Sequence, residues 1–345
     1  MTIKVGIVGF GPSGKILHGR LLRGLSQFEI TDIVTSQKEL ALSEHANANI
    51  HQNFNDFLEK KNCELVVIAS PNQFHFSQVK DCLNQGLHVV VEKPFTTTSE
   101  EALELIKLAK ERDLVLSVFQ NRRFDSDLLT VKRMIDDGRL GNVKLFEGNY
   151  HRYSPGIWDN WRYHNNVPGA GTFLDLGAHL LDQALYLFGK PKAVFADIHS
   201  QRDPNLPDDY FHVTFFYEDK RVILKAGTLI PSSEPRYIVH GDKASFFKKG
   251  IDPQEAQLRV ENLSPLDSKF GVEPESLSGK ICFPDGKEEV IVSEKGCSQN
   301  YYFQISEAIQ KKRPLPVSHE EALDLMKLYE LCFKSSDSGS RLKFG

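Results

Sequence analysis

The stretch "IKVGIVGFGPSG", residues 3–14, decides the fold of this chain. A short β-branched run leads directly into the pattern G-x-G-x-x-G, formed by Gly9, Gly11 and Gly14. In a β-α-β unit the first glycine permits a tight turn, the second lets backbone approach a pyrophosphate, and the third lets helix and strand pack closely. The stretch therefore predicts a dinucleotide-binding loop. Its candidate cofactor-binding residues are Gly9, Phe10, Gly11, Pro12, Ser13 and Gly14.

The rest of the first 121 residues repeats the strand–helix alternation that this stretch begins. Nearly continuous apolar runs are typical of strands covered on both faces, and they lie at 29–36, 65–71, 88–94 and 114–121. The clearest helical pattern follows Thr98, which with Glu101 fits a capping box. Repeated β-α-β units predict a parallel, doubly wound α/β sheet, a Rossmann domain over residues 1–121.

The pattern changes after Asn121, and residues 122–345 predict a second, α+β domain. Apolar and polar residues alternate in several runs, which indicates a predominantly antiparallel sheet with one covered face. The "EDK" turn at 218–220 predicts a hairpin, and Ser318 with Glu321 predicts a capped terminal helix. Residues 252–280 are rich in Pro, Ser, Asp and Glu, which predicts a long irregular segment outside the regular strands, an excursion from the sheet.

Composition limits the possible partners. The chain has 42 Lys and Arg against 46 Asp and Glu, a net charge of −4, so it carries no basic footprint for nucleic acid or an anionic membrane. Its five cysteines are scattered, odd in number and form no C-x-x-C, which argues against disulfides or a cysteine zinc site. The N-terminus enters a strand at once and no run approaches the roughly 20 apolar residues of a membrane helix. We therefore expect a cytoplasmic protein.

The end of the second strand bears on the choice of nicotinamide cofactor. NAD sites usually carry an acidic residue there, which binds the ribose 2′-hydroxyl. Here Thr35, Ser36 and Lys38 occupy that place, and the first acid is Glu39. Hydroxyls and a lysine can hold a 2′-phosphate that a carboxylate would repel, so NADP(H) is favoured over NAD. The alternative is a solvated surface loop.

Polar segments follow three further strands, at the edge where such sheets bind ligands. They are "SPNQFH", "EKP" and "QNRRF", and their candidate residues are Ser70, Asn72, His75, Glu92, Lys93, Gln120 and Asn121. In the second domain, Asp175, His179 and Asp182 follow "PGAGTF" at i, i+4 and i+7 on one helix face. These three could perform acid–base work or form a buried polar cluster. They are too few for a metal site, and none is expected.

Taken together, "GFGPSG", "SPNQFH", "EKPF" and "GAGTFLDLGAHLLD" resemble, in order and spacing, the Gfo/Idh/MocA oxidoreductases over essentially the whole chain. The segments "QNRRFDSDLLTVKRMI" and "YHRYSP" look most like the subgroup of NADP-dependent scyllo-inositol 2-dehydrogenases. The resemblance implies hydride transfer between NADP(H) and a secondary alcohol or ketone of a cyclitol or sugar. It also implies that the C-terminal sheet is large and open, and that a homodimer or homotetramer forms through it.

The resemblance implies a role for each matching residue. Lys93 would contact the reacting hydroxyl, His179 would be the general acid/base, and Asp175 would orient the histidine and bind a neighbouring hydroxyl. Trp161 and Arg162 would touch the cofactor or substrate. The candidate substrate-binding residues are Asn121, Tyr153, Trp158, Asp182 and Tyr237. Asp182 would help hold either the substrate or the helix, and Tyr237 is the weaker candidate. The tryptophans could equally pack between domains, and Ala170 departs from the usual glycine run.

Three alternatives stay open at this point. An aldose dehydrogenase for glucose, xylose or galactose would need a similar pocket, because a pyranose and a cyclitol expose similar rings of hydroxyls. Reduction of a keto-sugar or an aromatic diol is another possibility. A non-catalytic, NADP-sensing regulator could use the same fold, although the presence of Lys93, Asp175 and His179 favours an enzyme.

Overall fold

The computed structural model describes residues 2–157, 169–231 and 234–345. The chain forms two compact units, each with its own sheet. The first unit comprises residues 1–121, 253–270 and 297–323, and the second comprises 122–252, 271–296 and 324–345. The main division follows Asn121, and two later segments pack with the first unit. The units are therefore not continuous in sequence, unlike the ranges 1–121 and 122–345 expected above.

The sheet of the first unit confirms the predicted doubly wound α/β architecture. Its six strands are all parallel, in the order β3-β2-β1-β4-β5-β6. They are β1 (Ile3–Val8), β2 (Phe28–Val34), β3 (Asn49–His51), β4 (Leu65–Ile68), β5 (His88–Val91) and β6 (Leu116–Val118). This order places the topological switch point between β1 and β4, where ligands bind at the carboxyl ends of the strands.

Helices cover this sheet because its strands have no polar face. All four residues of β4 are buried, as are the three valines of β5. The helical segments are Ser13–Arg20, Leu21–Arg23, Lys38–Glu44, Phe54–Lys60, Asn72–Phe74, His75–Asn84, Ser99–Glu111, Gln254–Ala256, Gln257–Glu261 and Gln299–Lys311. Thr98 caps Ser99–Glu111 by accepting a hydrogen bond from the Glu101 N–H at 3.2 Å, whereas the Glu101 carboxylate turns to Thr97.

The second unit contains a nine-stranded sheet in the order β14-β13-β12-β11-β7-β10-β9-β8-β15. The strands are β7 (Val143–Asn149), β8 (Ala193–His199), β9 (Tyr210–Phe216), β10 (Arg221–Gly227), β11 (Tyr237–Gly241), β12 (Ser245–Lys248), β13 (Gly279–Cys282), β14 (Glu288–Ile291) and β15 (Leu342–Lys343). Among the described strands of this sheet, only β7 and β10 pair in parallel, so the predicted, largely antiparallel sheet is confirmed. The predicted hairpin joins β9 to β10, where Phe216 pairs with Arg221.

One face of this sheet is covered by helices. Val213 and Phe215 of β9 are fully buried, and Thr214 between them is half-buried. The segments Phe173–Gly177 and Ala178–Phe188 pack against β10. The other helical segments of this part of the chain are Asn121–Phe124, Ser126–Asp136, Glu275–Leu277 and His319–Ser338. Within the described residues, no helix has the length and apolar character needed to cross a membrane.

Candidate functional site

The loop after β1 has the backbone geometry of a phosphate-binding turn. Gly9 has φ +92°, and a Cβ there would lie 2.6 Å from the Ala69 carbonyl oxygen. A Cβ on Gly14 would lie 1.9 Å from the Gly9 carbonyl oxygen, so only glycine allows this approach. A Cβ on Gly11, by contrast, would meet no atom of the described residues within 4 Å. The loop thus leaves open space in front of a helix N-terminus, as a pyrophosphate requires.

The other residues of the loop differ in what they can offer a cofactor. The Phe10 side chain is buried and its ring packs against that of His45, so only its backbone is available at the loop. Pro12 is exposed and is the N-cap of the following helix. Ser13 is half-buried, and its hydroxyl donates a hydrogen bond to Glu92.

The end of β2 presents hydroxyls and a lysine to solvent. β2 ends at Val34, Thr35 is half-buried, and Ser36 and Lys38 are exposed. An acid does lie within β2, but Asp32 is completely buried. Its carboxylate accepts hydrogen bonds from Thr31, His51 and the Asn62 N–H at 2.8, 2.9 and 3.1 Å. Asp32 is therefore buried with its carboxylate already hydrogen-bonded, and it cannot serve as the acid that binds the ribose 2′-hydroxyl of NAD.

The "EKP" segment follows β5 and presents Lys93. The lysine is half-buried, and its bond to Pro94 is cis, as the sequence allowed. Glu92 is buried next to it, and its Oε2 accepts the Lys93 backbone N–H at 3.2 Å. Burial alone would raise the pKa of Glu92, but hydrogen bonds and charge from His18, the Ser13 hydroxyl and the Lys93 charge lower it to about 2. Glu92 is thus a carboxylate at every physiological pH.

His75 connects the loop that follows β4 to the loop that follows β5. It has no exposed surface, and its ring nitrogens lie 2.9 Å from the Pro94 carbonyl oxygen and 3.0 Å from that of Ser70. Burial lowers the pKa of His75. The expectation of a cofactor contact is therefore corrected, because a ring buried among backbone carbonyls has no surface to offer. The Ser70 hydroxyl donates to Gln78 at 2.6 Å, and Asn72 is largely buried in the next turn.

Gln120 carries a buried amide that is unpaired within the described part of the first unit. It follows β6 and is 1% exposed, yet neither its amide nitrogen nor its amide oxygen has a hydrogen-bond partner among the described residues. Buried amides are normally paired, so an orphaned one needs an explanation. Asn121, the next residue, is half-buried. The open glycine loop and the orphaned Gln120 amide both fit a dinucleotide.

In the second unit, one continuous helical run carries the predicted acid–base residues. Its first part, Phe173–Gly177, is wound as a π-helix, a form often found at functional sites. Asp175 lies in this part and is half-buried, whereas His179 lies one turn later and is 6% exposed. The run therefore presents a carboxylate and an imidazole from neighbouring turns, which is the spacing that a histidine and its orienting acid need.

The resemblance left two roles for Asp182, holding the substrate or holding the helix. Its two carboxylate oxygens accept hydrogen bonds from Arg123 Nε at 2.8 Å and Nη2 at 2.7 Å. Both side chains are 3% exposed, so this bidentate ion pair is buried. Asp182 therefore secures the helix to Arg123 with both oxygens engaged, which is the second of these roles.

Two other predicted substrate residues also differ from expectation or stay untested. Tyr237 is completely buried in β11, and its hydroxyl donates to Gln183 at 2.8 Å, so it cannot line an open pocket. Tyr153 is 63% exposed and remains available. Trp158, Trp161 and Arg162 lie outside the described residues.

Asp208 is a candidate that sequence reasoning missed. It lines a cavity of about 120 Å³ together with Asp175, Arg152 and Arg202. Its Oδ1 accepts the Phe173 N–H at 2.6 Å, at the start of the run that carries Asp175. Burial raises the pKa of Asp208 to about 7. The only sequence signal was the acidic pair "DD" before β9, which is too common to single out.

No group of three or more His, Cys, Asp or Glu residues that could hold a metal ion exists in the described part of the chain. All five cysteines are free thiols.

Comparison with protein families matches both parts of the chain. Residues 3–120 match the model described as "Oxidoreductase family, NAD-binding Rossmann fold", and residues 132–344 match "Oxidoreductase family, C-terminal alpha/beta domain".

Individual relatives match over different shares of the chain. The chain is 38% identical to scyllo-inositol 2-dehydrogenase (NADP(+)) IolW of Bacillus subtilis (strain 168), covering 97% of this chain and 94% of the relative. It is 27% identical to the D-glucoside 3-dehydrogenase of Escherichia coli (strain K12) over 57% of each chain. The solved structure of yvaA from Bacillus subtilis, described as an oxidoreductase, superposes with a TM-score of 0.96 at 37% identity, covering 100% of this chain and 99% of that one.

Proposed function

We propose a function from the premise that this chain belongs to the Gfo/Idh/MocA oxidoreductase family. Its named relatives are dehydrogenases of inositol and sugars, which makes it a dehydrogenase of the CH–OH class with a nicotinamide cofactor. We assign it as an NADP(H)-dependent dehydrogenase that interconverts a secondary alcohol and a ketone on a cyclitol such as scyllo-inositol. The observation that carries this assignment is the 38% identity to an NADP(+)-dependent scyllo-inositol 2-dehydrogenase over 97% of the chain.

The end of β2 supports NADP over NAD. A 2′-phosphate needs cations and hydroxyl donors and is repelled by a carboxylate. Ser36 and Lys38 are exposed there, and the nearby acid Asp32 is buried in its own hydrogen bonds. We therefore assign Thr35, Ser36 and Lys38 to the 2′-phosphate, the glycine loop to the pyrophosphate, and the orphaned Gln120 amide to a polar group of the nucleotide.

The residues of this chain divide the acid–base work of the reaction. A bound nicotinamide supplies the hydride acceptor or donor. His179, as general base, takes the hydroxyl proton of the alcohol and returns it to the ketone in the reverse direction, since an imidazole titrates near neutral pH. Lys93 stabilises the negative charge that develops on that oxygen. Asp175, one turn before His179, orients the imidazole and accepts a neighbouring hydroxyl.

A polyol substrate suits the polar groups of the second unit. The cavity at the start of the helical run is lined by the carboxyl groups of Asp175 and Asp208 and by Arg152 and Arg202. Carboxylates and guanidinium groups accept from and donate to hydroxyls, and the cavity also includes Thr172 and Thr228. This lining supports a hydroxyl-rich substrate over an apolar one.

The test is an initial-rate screen of inositols, inososes and aldoses with NADP+ or NADPH, repeated with NAD(H). The proposal expects the highest kcat/KM for an inositol or inosose with the phosphorylated cofactor. A clear preference for glucose, xylose or galactose would transfer the assignment to an aldose dehydrogenase. Tight NADPH binding without turnover of any substrate in the panel would favour a regulator that senses the cofactor.

We also propose that the chain assembles with copies of itself in a cytoplasmic, reducing compartment. Every second residue of β9 is only half-buried, as are Ile223 and Lys225 of β10, and Phe195 of neighbouring β8 is 37% exposed. An open sheet face of this kind is a surface on which two copies can pack. Light scattering coupled to size-exclusion chromatography would give a dimer or tetramer mass, and a monomer mass would refute this assignment.

A further inference from the structure

A buried chain of hydrogen bonds runs from the phosphate loop to the lysine segment through Glu92. Its Oε1 accepts from the Ser13 hydroxyl and lies 3.0 Å from Nε2 of His18, and its Oε2 accepts the Lys93 backbone N–H at 3.2 Å. Ser13 is 79 residues before Glu92, so a single carboxylate joins two segments that are distant in sequence. The glycine-loop motif and the "EKP" motif are therefore physically connected.

His18 is the buried side chain that contacts the Glu92 carboxylate at Oε1. It is completely buried, and its ring lies 4.2 Å from that of Phe119 between centroids. Its Nδ1 lies 2.5 Å from the hydroxyl of buried Tyr302, which belongs to the helix Gln299–Lys311. With its proton on Nε2, His18 donates to Glu92 whether the ring is neutral or protonated, because Nδ1 can accept from or donate to a tyrosine hydroxyl.

Without His18, the buried Glu92 carboxylate would lose its main hydrogen-bond donor. The titratable and charged groups that face Glu92 are His18, Lys93, His75 and Tyr302. Burial opposes the ionised form, whereas the hydrogen bond from His18 is the largest of the contributions that favour it. Loss of that bond leaves a buried carboxylate with weaker support, and its pKa then rises.

We propose that His18 is a positioning residue for hydride transfer, which acts by holding Glu92 ionised and aligned between Ser13 of the phosphate loop and the backbone of Lys93. This inference rests on the proposed function and extends it to a residue outside the predicted site. A protonated or rotated Glu92 would release Lys93 and the phosphate loop together. Displacement of a reacting group by about 1 Å can cost about 100-fold in rate.

The test compares His18→Leu with His45→Leu. His45 is a buried histidine of the same unit, and its Nε2 has no hydrogen-bond partner in the described part of the chain, so it controls for loss of a buried imidazole without a carboxylate partner. For each variant, kcat/KM is measured from pH 5 to 9, and the Kd for NADPH is measured by fluorescence at the same pH values.

The proposal expects His18→Leu to lose kcat/KM about 10- to 100-fold at pH 6 and to recover part of it at pH 8. The reason is that the raised pKa of Glu92 shifts the low-pH fall of kcat/KM, the acid limb of the profile, toward neutral pH. The Kd for NADPH should follow the same pH dependence. His45→Leu should keep the wild-type pH profile. Glu92→Gln, which mimics the protonated state, should have the low rate at every pH without the shifted limb.

An unshifted pH profile in His18→Leu, with only a lower melting temperature, would overturn the proposal in favour of a purely structural histidine. Should that variant not fold, His18→Gln serves in its place: its amide can donate to Glu92, so it should restore the wild-type acid limb, and a shifted limb in His18→Gln would count against the proposal. If wild-type protein turns over no substrate, the proposed function fails, and the pH dependence of the NADPH Kd still decides the role of His18.

Discussion

Replacement of Asp182 by asparagine should destabilise the protein without weakening substrate binding. Asp182 and Arg123 form a bidentate ion pair in which both side chains are 3% exposed. Removing one partner of a buried pair leaves an uncompensated charge, which costs about 3–5 kcal/mol. The second unit is large enough that each kcal/mol lowers the melting temperature by about 2–4 °C, so the expected loss is about 6–20 °C.

The matched control is Asp136→Asn. Asp136 pairs with Lys132 one turn away on an exposed helix surface, with 58% of its side chain exposed. Such a pair contributes about 0.3–0.5 kcal/mol, so the control should lower the melting temperature by no more than about 2 °C. Thermal unfolding by circular dichroism and steady-state kinetics at 20 °C would be measured for both variants. A several-fold rise in KM for Asp182→Asn with an unchanged melting temperature would refute the ion-pair account and restore Asp182 as a substrate contact.

Three further predictions concern catalysis, the cofactor and pH. Lys93→Ala and His179→Ala should each lower kcat by about 100-fold or more while NADPH still binds by fluorescence titration, and a near-native kcat in either variant would remove that residue from the mechanism. Lys38→Glu should weaken NADPH binding by about 10- to 100-fold, the value of a charge-assisted contact, while leaving NADH binding unchanged or improved; an equal loss for both cofactors would contradict a 2′-phosphate contact. Asp208→Asn should gain stability relative to wild type as pH rises from 5 to 8. Burial raises the pKa of Asp208 from 3.8 to about 7, so between pH 5 and 7 the folded wild type holds a proton there that the unfolded chain has lost, and its stability falls across that window by about 2–3 kcal/mol. A melting-temperature difference that stays constant with pH would exclude this effect.

Local patterns predicted most of the first unit. The glycine motif, the apolar runs and the Thr98 cap each depend on neighbouring residues, and the structure confirms the parallel sheet they imply. Edge strand β3, Asn49–His51, escaped notice because three residues carry too little periodicity. The packing of 253–270 and 297–323 with the first unit depends on contacts with residues more than a hundred positions away, which no local pattern encodes.

The site residues whose partners lie far away in sequence share one physical feature. The resemblance offered Asp182 as a residue that holds the substrate or the helix, and Tyr237 as a weaker substrate contact. The structure pairs Asp182 with Arg123, 59 residues earlier, and Tyr237 with Gln183, 54 residues earlier. A polar side chain in a core must find a partner, and that partner can come from anywhere in the chain. His18 was overlooked for the same reason, because its carboxylate partner lies 74 residues later.

Transfer of isotope from substrate to cofactor tests the central claim most directly. The protein would be incubated with NADP+ and scyllo-inositol deuterated on its ring carbons, and the mass of the resulting NADPH would be measured. The account predicts NADPH heavier by one deuterium, together with a slower rate than for unlabelled substrate when hydride transfer limits turnover. Unlabelled NADPH, or ketone formed without reduction of NADP+, would contradict direct hydride transfer and with it the assignment of this chain as a cyclitol dehydrogenase.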